Sequence, residues 1–291
     1  MNPVKNIPVR FHNLGDKAPS DRTPFYIGLG TLKHPVEYSH LHYGLEIGAI
    51  KSGRGELYLA GRSYAMKAGD AYFFNGMHPH AHGAAEGSSM ENIYVHLKQE
   101  SVILVPPPRN DLRLYEPFWY PPGVLAPVIK APNLIHAHLL KARAEARSIS
   151  TLADVRAWVS VLSALVALAE TIEPQVQDSH TRAKHLQRET IMTSLKFIHE
   201  HFMEPLSVEE IASQCGMSES HFSHQFTGVM RVAPVEYRNK LRITRACEKL
   251  ATTRDKISAI ALECGINSLS QFNDLFRRIT GISPNDLRKK S

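Results

Sequence analysis

The C-terminal third of the 291-residue chain contains one unit written twice. The first copy has Val208, Ile211, Ala212, Cys215, Gly216 and Met217, followed by Phe222, Phe226 and Pro234. The second has Ile257, Ile260, Ala261, Cys264, Gly265 and Ile266, followed by Phe272, Phe276 and Pro284. In each, apolar residues at helical spacing predict a short helix, the glycine predicts a turn through positive φ, and the phenylalanines four apart predict a second, amphipathic helix. A chain that repeats this pattern is committed to a compact all-helical domain built on two helix-turn-helix units.

The second helix of each unit has an outward face of short polar residues rather than Lys and Glu. In the first unit, with Ser218 as the expected N-cap, these are Ser220, Ser223, His224 and Thr227; in the second they are Ser270, Asn273, Asp274 and Arg277, with Gln271 beside them. Such side chains can approach base edges in a major groove, and Ser220, Ser223, His224, Ser270, Gln271 and Asp274 are the expected base readers. Asp274 suits a cytosine amino group. Pro234 at the first helical position predicts a linking helix to Thr252, with Leu241, Ala246, Cys247 and Leu250 as its apolar stripe. Arg238, Lys240, Arg242, Arg245 and Lys249 form its charged side. Arg238, Lys240, Arg277 and Arg278 are the expected phosphate contacts. From Thr227 onward there are thirteen Lys or Arg against six Asp or Glu, a local excess that exceeds the net +6 of the whole chain. The basic charge therefore sits where the repeat is, as a nucleic-acid footprint would.

On these residues, 190–290 resembles the DNA-binding domain of AraC-type transcriptional regulators. The second unit, with Ile260, Ala261, Cys264, Gly265, Phe272, Phe276, Gly281, Ser283 and Pro284, looks like that family's signature. The resemblance implies that both units enter the major groove of double-stranded promoter DNA and that the linking helix sets their spacing. It also implies a homodimer, and RNA polymerase as a partner of an activator. Two departures stand out: Arg231 where the family has the glycine matched by Gly281, and Ile266 in place of an aromatic.

Residues 1 to about 125 differ in character. Glycines and prolines punctuate short apolar-aromatic runs, which predicts many short strands. Ala60-Gly61 reads as a two-residue hairpin turn. His40, His42 and Glu46 stand at even spacings, so one strand would point all three from one face. With Gly53, Gly69 and His80 they resemble the two motifs of the cupin barrel, although His34, Asn75 and Met77 replace two glycines and a proline. This implies an effector pocket lined by His40, His42, Glu46 and His80. The same imidazoles and carboxylate also make a first shell for a divalent metal, so a polar pocket that needs no cofactor and a metal site are both open. His78 and His82 widen the choice of ligands. Tyr38, Tyr43, Tyr72, Phe73, Tyr94, Phe118 and Trp119 are further pocket candidates.

Val105 to Pro108 and Tyr120 to Gly123 read as loops, Asn133 to Arg147 and a stretch opening at Thr151 or Asp154 as helices, and Glu173 to His185 as a linker. The apolar stretch Trp158 to Ala169 is too short to span a membrane, and the N-terminus lacks an apolar signal core. Cys215, Cys247 and Cys264 sit at positions expected in packed core, and their odd number fits a reducing cytoplasm.

The expected fold class is multidomain α+β. Residues 1–128 form a cupin-like β-barrel, 129–185 a helical connector with dimerisation helices, and 186–291 an all-α domain with two helix-turn-helix units. The expected function is a non-enzymatic, sequence-specific DNA-binding regulator controlled by a small-molecule effector, with sugars as the default class. The rival is a metal-dependent cupin oxygenase or isomerase fused to a DNA-binding domain, using His40, His42, Glu46 and His80 as ligands.

Overall fold

A computed structural model describes residues 9–11, 25–42, 44–76, 78–97, 114, 116–119, 125–130, 133–177, 182–230 and 232–290. Tyr43, Met77, Arg231 and the loops Val105 to Pro108 and Tyr120 to Gly123 lie outside them, as do the side chains of Trp119 and Val229. The chain divides near residue 178 into two compact units.

The described residues form nine strands: β1 (Val9–Phe11), β2 (Phe25–Leu32), β3 (Ser39–Leu41), β4 (Leu45–Leu59), β5 (Arg62–Lys67), β6 (Ala71–Asn75), β7 (His80–Ala84), β8 (Met90–Leu97) and β9 (Val128–Ile129). They do not close into the expected barrel among the described residues. The 15-residue β4 is instead shared by two antiparallel sheets. Its first half pairs with β6 and β8, which carry β9 and β2 outward. Its second half pairs with β5 and β7, and β3 adds to β7. The change of sheet falls where the register shifts between Ile50 and Ser52 and Gly53 takes φ 79°. Ala60 and Gly61, at φ 47° and 86°, make the two-residue turn expected between Leu59 and Arg62.

Helices α1 (Asn133–Ala146) and α2 (Ala153–Gln177) belong to the same unit. Ile135, Leu139 and Ala142 of α1 face the sheet and α2, and Ala157, Val161, Leu165 and Leu168 form the buried face of α2. Trp158 stacks on Phe25 of β2 with ring centroids 5.5 Å apart. Ala153–Glu173 is long and apolar enough to cross a membrane by length and composition, which the shorter stretch read from the sequence is not. The helix runs to Gln177 through Pro174, and α3 (Arg182–His201) starts before His185, so helix occupies both ends of the expected linker.

The second unit holds α3, α4 (Val208–Gln214), α5 (Glu219–Met230), α6 (Pro234–Thr252), α7 (Ile257–Glu263), α8 (Leu269–Thr280) and α9 (Pro284–Lys290). Both copies of the repeat fold alike. Met217 N–H donates to Ala212 O at 3.0 Å, and Ile266 N–H to Ala261 O at 2.9 Å, each closing the helix across a left-handed glycine. Phe222 and Phe226 are 5.5 Å apart between centroids, and Phe272 and Phe276 5.6 Å. A capping box, with Glu210 N–H on Ser207 Oγ at 3.1 Å and Ser207 N–H on Glu210 Oε2 at 2.7 Å, starts α4.

The copies differ in what their glycines must do. Gly216 at φ 65° has open space where a Cβ would go, whereas a Cβ on Gly265 at φ 77° would sit 2.3 Å from Met203 O. Gly265 is therefore held by backbone conformation and by close packing together. Ile266, which stands in place of the family's aromatic, is buried in the core of the second copy. Of the three cysteines, Cys247 and Cys264 are buried as expected, but Cys215 is only half-buried, with its thiol 3.5 Å from Thr190 O.

Candidate functional site

Two surfaces carry chemistry, one in each unit. On α5, Ser220, His224 and Thr227 are exposed and Ser223 is half-buried; on α8, Ser270, Gln271, Asp274, Arg277 and Arg278 are exposed and Asn273 is half-buried. Ser268 caps α8 by accepting from Gln271 N–H at 3.3 Å, which puts Gln271 in the first turn, where recognition helices meet bases. The corresponding turn of α5 presents His221, absent from the sequence-based set. Its Nε2 lies 2.8 Å from the side-chain amide nitrogen of Gln225. The sequence holds a signal for it: a helix capped by Ser218 places His221 within its first turn.

The cations divide differently from expectation. Arg277 and Arg278 have no ion pair among the described residues. Lys240 pairs with Glu236 at 3.3 Å, Arg245 with Glu248, and Lys249 with Glu263. Arg238 is half-buried, and burial lowers the pKa of its guanidinium. Arg242, placed on the charged side of the linking helix, is 7% exposed. Its Nε donates to Phe202 O at 2.5 Å and its Nη2 to Glu204 O at 2.7 Å, where the chain leaves α3. The expected charged side fails here because α6 is the central helix of its unit, with Leu241, Arg242, Ile243 and Thr244 all buried.

In the first unit the two sheets turn a polar cluster toward each other. The predicted single strand for His40, His42 and Glu46 does not exist: His40 lies on β3, His42 follows it, and Gly44 at φ 109° turns the chain into β4 before Glu46. The residues still converge. His40 pairs in register with His80, while Glu46 pairs with His96 across β4 and β8. Glu46 Oε2 accepts from His42 Nε2 at 3.1 Å and His96 Nε2 at 3.0 Å. Its Oε1 accepts from Tyr72 Oη at 3.2 Å, and Tyr72 Oη in turn accepts from Asn92 Nδ2 at 2.7 Å. Tyr72 can lie there because Gly48 faces it; a Cβ on Gly48 would meet the Tyr72 ring at 2.3 Å. Burial by itself would raise the Glu46 pKa, but the facing His96 and the hydrogen bonds from His42 and His96 hold it well below the usual carboxylate range. Burial pushes His80 and His82 well down and down respectively, so both are neutral.

The four sequence-derived residues, joined by His96, fall into two overlapping triads of donor atoms, His40–His42–His80 and His42–Glu46–His96. His96 escapes the motif because its place depends on strand register, which a linear pattern does not encode. A divalent ion of the kind the motif implies suits these nitrogen and carboxylate donors. The fit shows in His80, whose Nδ1 donates to His78 O at 2.8 Å, leaving a buried Nε2 without a hydrogen-bond partner. A cavity of about 420 Å³, with Lys33, His34, Glu37 and Tyr38 in its wall, reaches this cluster at His40 and His82. Of the aromatic candidates, Tyr72 and Tyr94 point toward the cluster, but Phe73 faces the other side of β6 and packs on Phe118 at 5.9 Å.

Comparison with known proteins follows the same division. A family model described as a helix-turn-helix domain matches residues 211–290, and one described as a cupin domain matches residues 30–96. The HTH-type transcriptional activator RhaS of Escherichia fergusonii is 32% identical over 95 residues, covering 33% of this chain and 34% of that protein. The uncharacterised HTH-type transcriptional regulator YisR of Bacillus subtilis is 29% identical over 115 residues, covering 36% and 40%. The chain thus spans well under half the length of these relatives. A structure of ToxT from Vibrio cholerae solved with an unsaturated fatty acid bound is 15% identical, with TM-score 0.53, covering 91% of this chain and 94% of that one; at this identity the likeness is one of fold. The repeat, the paired sheets and these matches together identify the chain as an N-terminal cupin domain joined to a C-terminal helix-turn-helix domain of AraC type.

Proposed function

We propose that the chain is a sequence-specific DNA-binding transcriptional regulator whose cupin unit takes a small-molecule effector. The observation that carries this is the pair of equivalent helix–glycine–helix units that bury their phenylalanines and expose short polar side chains on α5 and α8. Relatives named as transcriptional regulators over the same third of the chain support it. Ser220, Ser223, His224, Ser270, Gln271 and Asp274 read bases, joined by His221, and Arg277 and Arg278 hold phosphates. Promoter fragments selected from genomic DNA by the full chain, followed by fluorescence anisotropy across salt concentrations, test the reading. Arg278→Ala should weaken all sequences alike and reduce the slope of log K against log salt by about 0.9. A loss confined to one base position would instead make Arg278 a base reader, and no duplex selected at low salt would end the DNA reading.

The effector is a small polar molecule, and a sugar is the class we favour. Lys33, His34, Glu37, His40 and His82 give the cavity wall polar and charged groups that can hydrogen-bond to hydroxyls and that a long acyl chain would not engage. The fatty acid bound to ToxT makes the contrast testable. Sugars should raise the melting temperature of the full chain and fatty acids should not; the reverse outcome would assign an amphipathic acid. The protein acts as a cytoplasmic homodimer through α2, whose Val155, Val159 and Val166 form an exposed stripe opposite its buried face. Light scattering of the full chain reads its mass directly.

A further inference from the structure

We propose that a divalent first-row transition-metal ion binds in the first unit at His42, Glu46 and His96, a set that keeps two of the four residues the sequence motifs single out and puts His96 in place of His40 and His80. This refines the reading of the cupin unit as a ligand site, and it is measured without DNA or effector, so either reading can fail alone.

Three observations converge. The donor atoms of His42, Glu46 and His96 lie within 4.8 Å of one another, with both imidazole Nε2 atoms 3.0–3.1 Å from Glu46 Oε2. Donors around a tetrahedral ion with bonds of about 2.0–2.1 Å stand about 3.3–3.4 Å apart, so an ion enters with shifts of a few tenths of an ångström. The site is buried: the three residues are 1%, 3% and 5% exposed. The carboxylate is also aimed. Asn92 donates to Tyr72, which donates to Glu46 Oε1, and this buried relay leaves Oε2 turned toward the two imidazoles. Outer hydrogen bonds that orient a ligand oxygen are a feature of metal sites. His82 Nε2, buried without a hydrogen-bond partner and 3.8 Å from Glu46 Oε1, is a further imidazole nitrogen facing the same carboxylate.

His40 stands apart from this centre. It is half-buried, its ring packs edge-on against His80 at 4.3 Å, and it lines the cavity wall. Two imidazoles and one carboxylate favour Zn, Co, Ni or Fe over Mg or Ca, and leave further coordination positions to be filled.

The experiment uses the full chain, stripped by chelator and titrated with Co(II) under visible absorption. One equivalent should bind. His96→Ala should weaken Co(II) binding by at least about 100-fold, Tyr72→Phe by about 10- to 100-fold, and His40→Ala by less than about threefold. Zn(II) titration of the wild-type chain, followed by the imidazole nitrogen resonances, keeps the test independent of how variants fold. His42 and His96 should shift on binding and His40 should not. Loss of Co(II) in His40→Ala with retention in His96→Ala, movement of His40 without His96, or no stoichiometric uptake by the wild-type chain would each overturn the assignment.

Discussion

Replacing Arg242 with Met should destabilise the helix-turn-helix unit by about 2–4 kcal/mol and remove its DNA binding at physiological temperature. The guanidinium is buried, and it donates to two backbone carbonyls, those of Phe202 and Glu204. Hydrogen bonds from a charged donor contribute about 1.5–3 kcal/mol each, and Met leaves both acceptors unpaired while relieving the cost of burying a charge, so the net falls below the sum. Burial, with a smaller contribution from Arg238, pushes the Arg242 pKa down to about 10, which leaves it charged at neutral pH. A loss of this size corresponds to a fall in melting temperature of about 10–25 °C for a unit of this size. Calorimetry and anisotropy on the same preparation check it. Lys at this position should recover only part of the loss, because an ammonium cannot reproduce the planar fork that spans two carbonyls. A variant melting within a few degrees of wild type would show that the α3–α6 junction does not depend on this anchor.

The same unit should be sensitive to acid through His199. This residue is 4% exposed and its Nε2 lies 2.8 Å from Tyr237 Oη. Burial lowers its pKa to about 3, against about 6.5 in the unfolded chain. The unfolded state therefore binds a proton that the folded state refuses. The stability is complete above pH 6.5 and is lost as pH falls from there toward 3, by about 1.4 kcal/mol per pH unit. Urea melts at pH 7, 6 and 5 should show this slope in the wild-type chain, and His199→Gln should flatten it. Equal slopes in both proteins would place the acid sensitivity elsewhere. DNA affinity should fall only at a pH low enough to populate the unfolded unit, because α5 is held through Phe226 by the same core that contains Tyr237.

Local signals carry the C-terminal unit almost whole. Helical spacing, the two left-handed glycines and Pro234 lie within a few residues of what they determine, and α6 has the bounds they predict. Arg242 is misplaced by the pattern because a stripe of apolar residues says which face of a helix is buried most, not whether a central helix is buried all round. The N-terminal unit is legible as strands and as a polar cluster but not as geometry. Two sheets sharing one strand, instead of a closed barrel, follow from a register shift at Ile50 and Ser52 that no pattern of alternation records. Likewise, His96 meets Glu46 only through cross-strand register, fifty positions away in the chain.

The sharing of β4 has a mechanical corollary. His80 and His82 hang from the half of this strand beyond Gly53, and Glu46 and His96 from the half before Ile50. The two halves part at the register shift between Ile50 and Ser52, beside Gly53, so one strand presents side chains from both sheets to the same interior. A spectroscopic ruler across the two arms of β4 would read whether occupancy of the interior alters the angle between them.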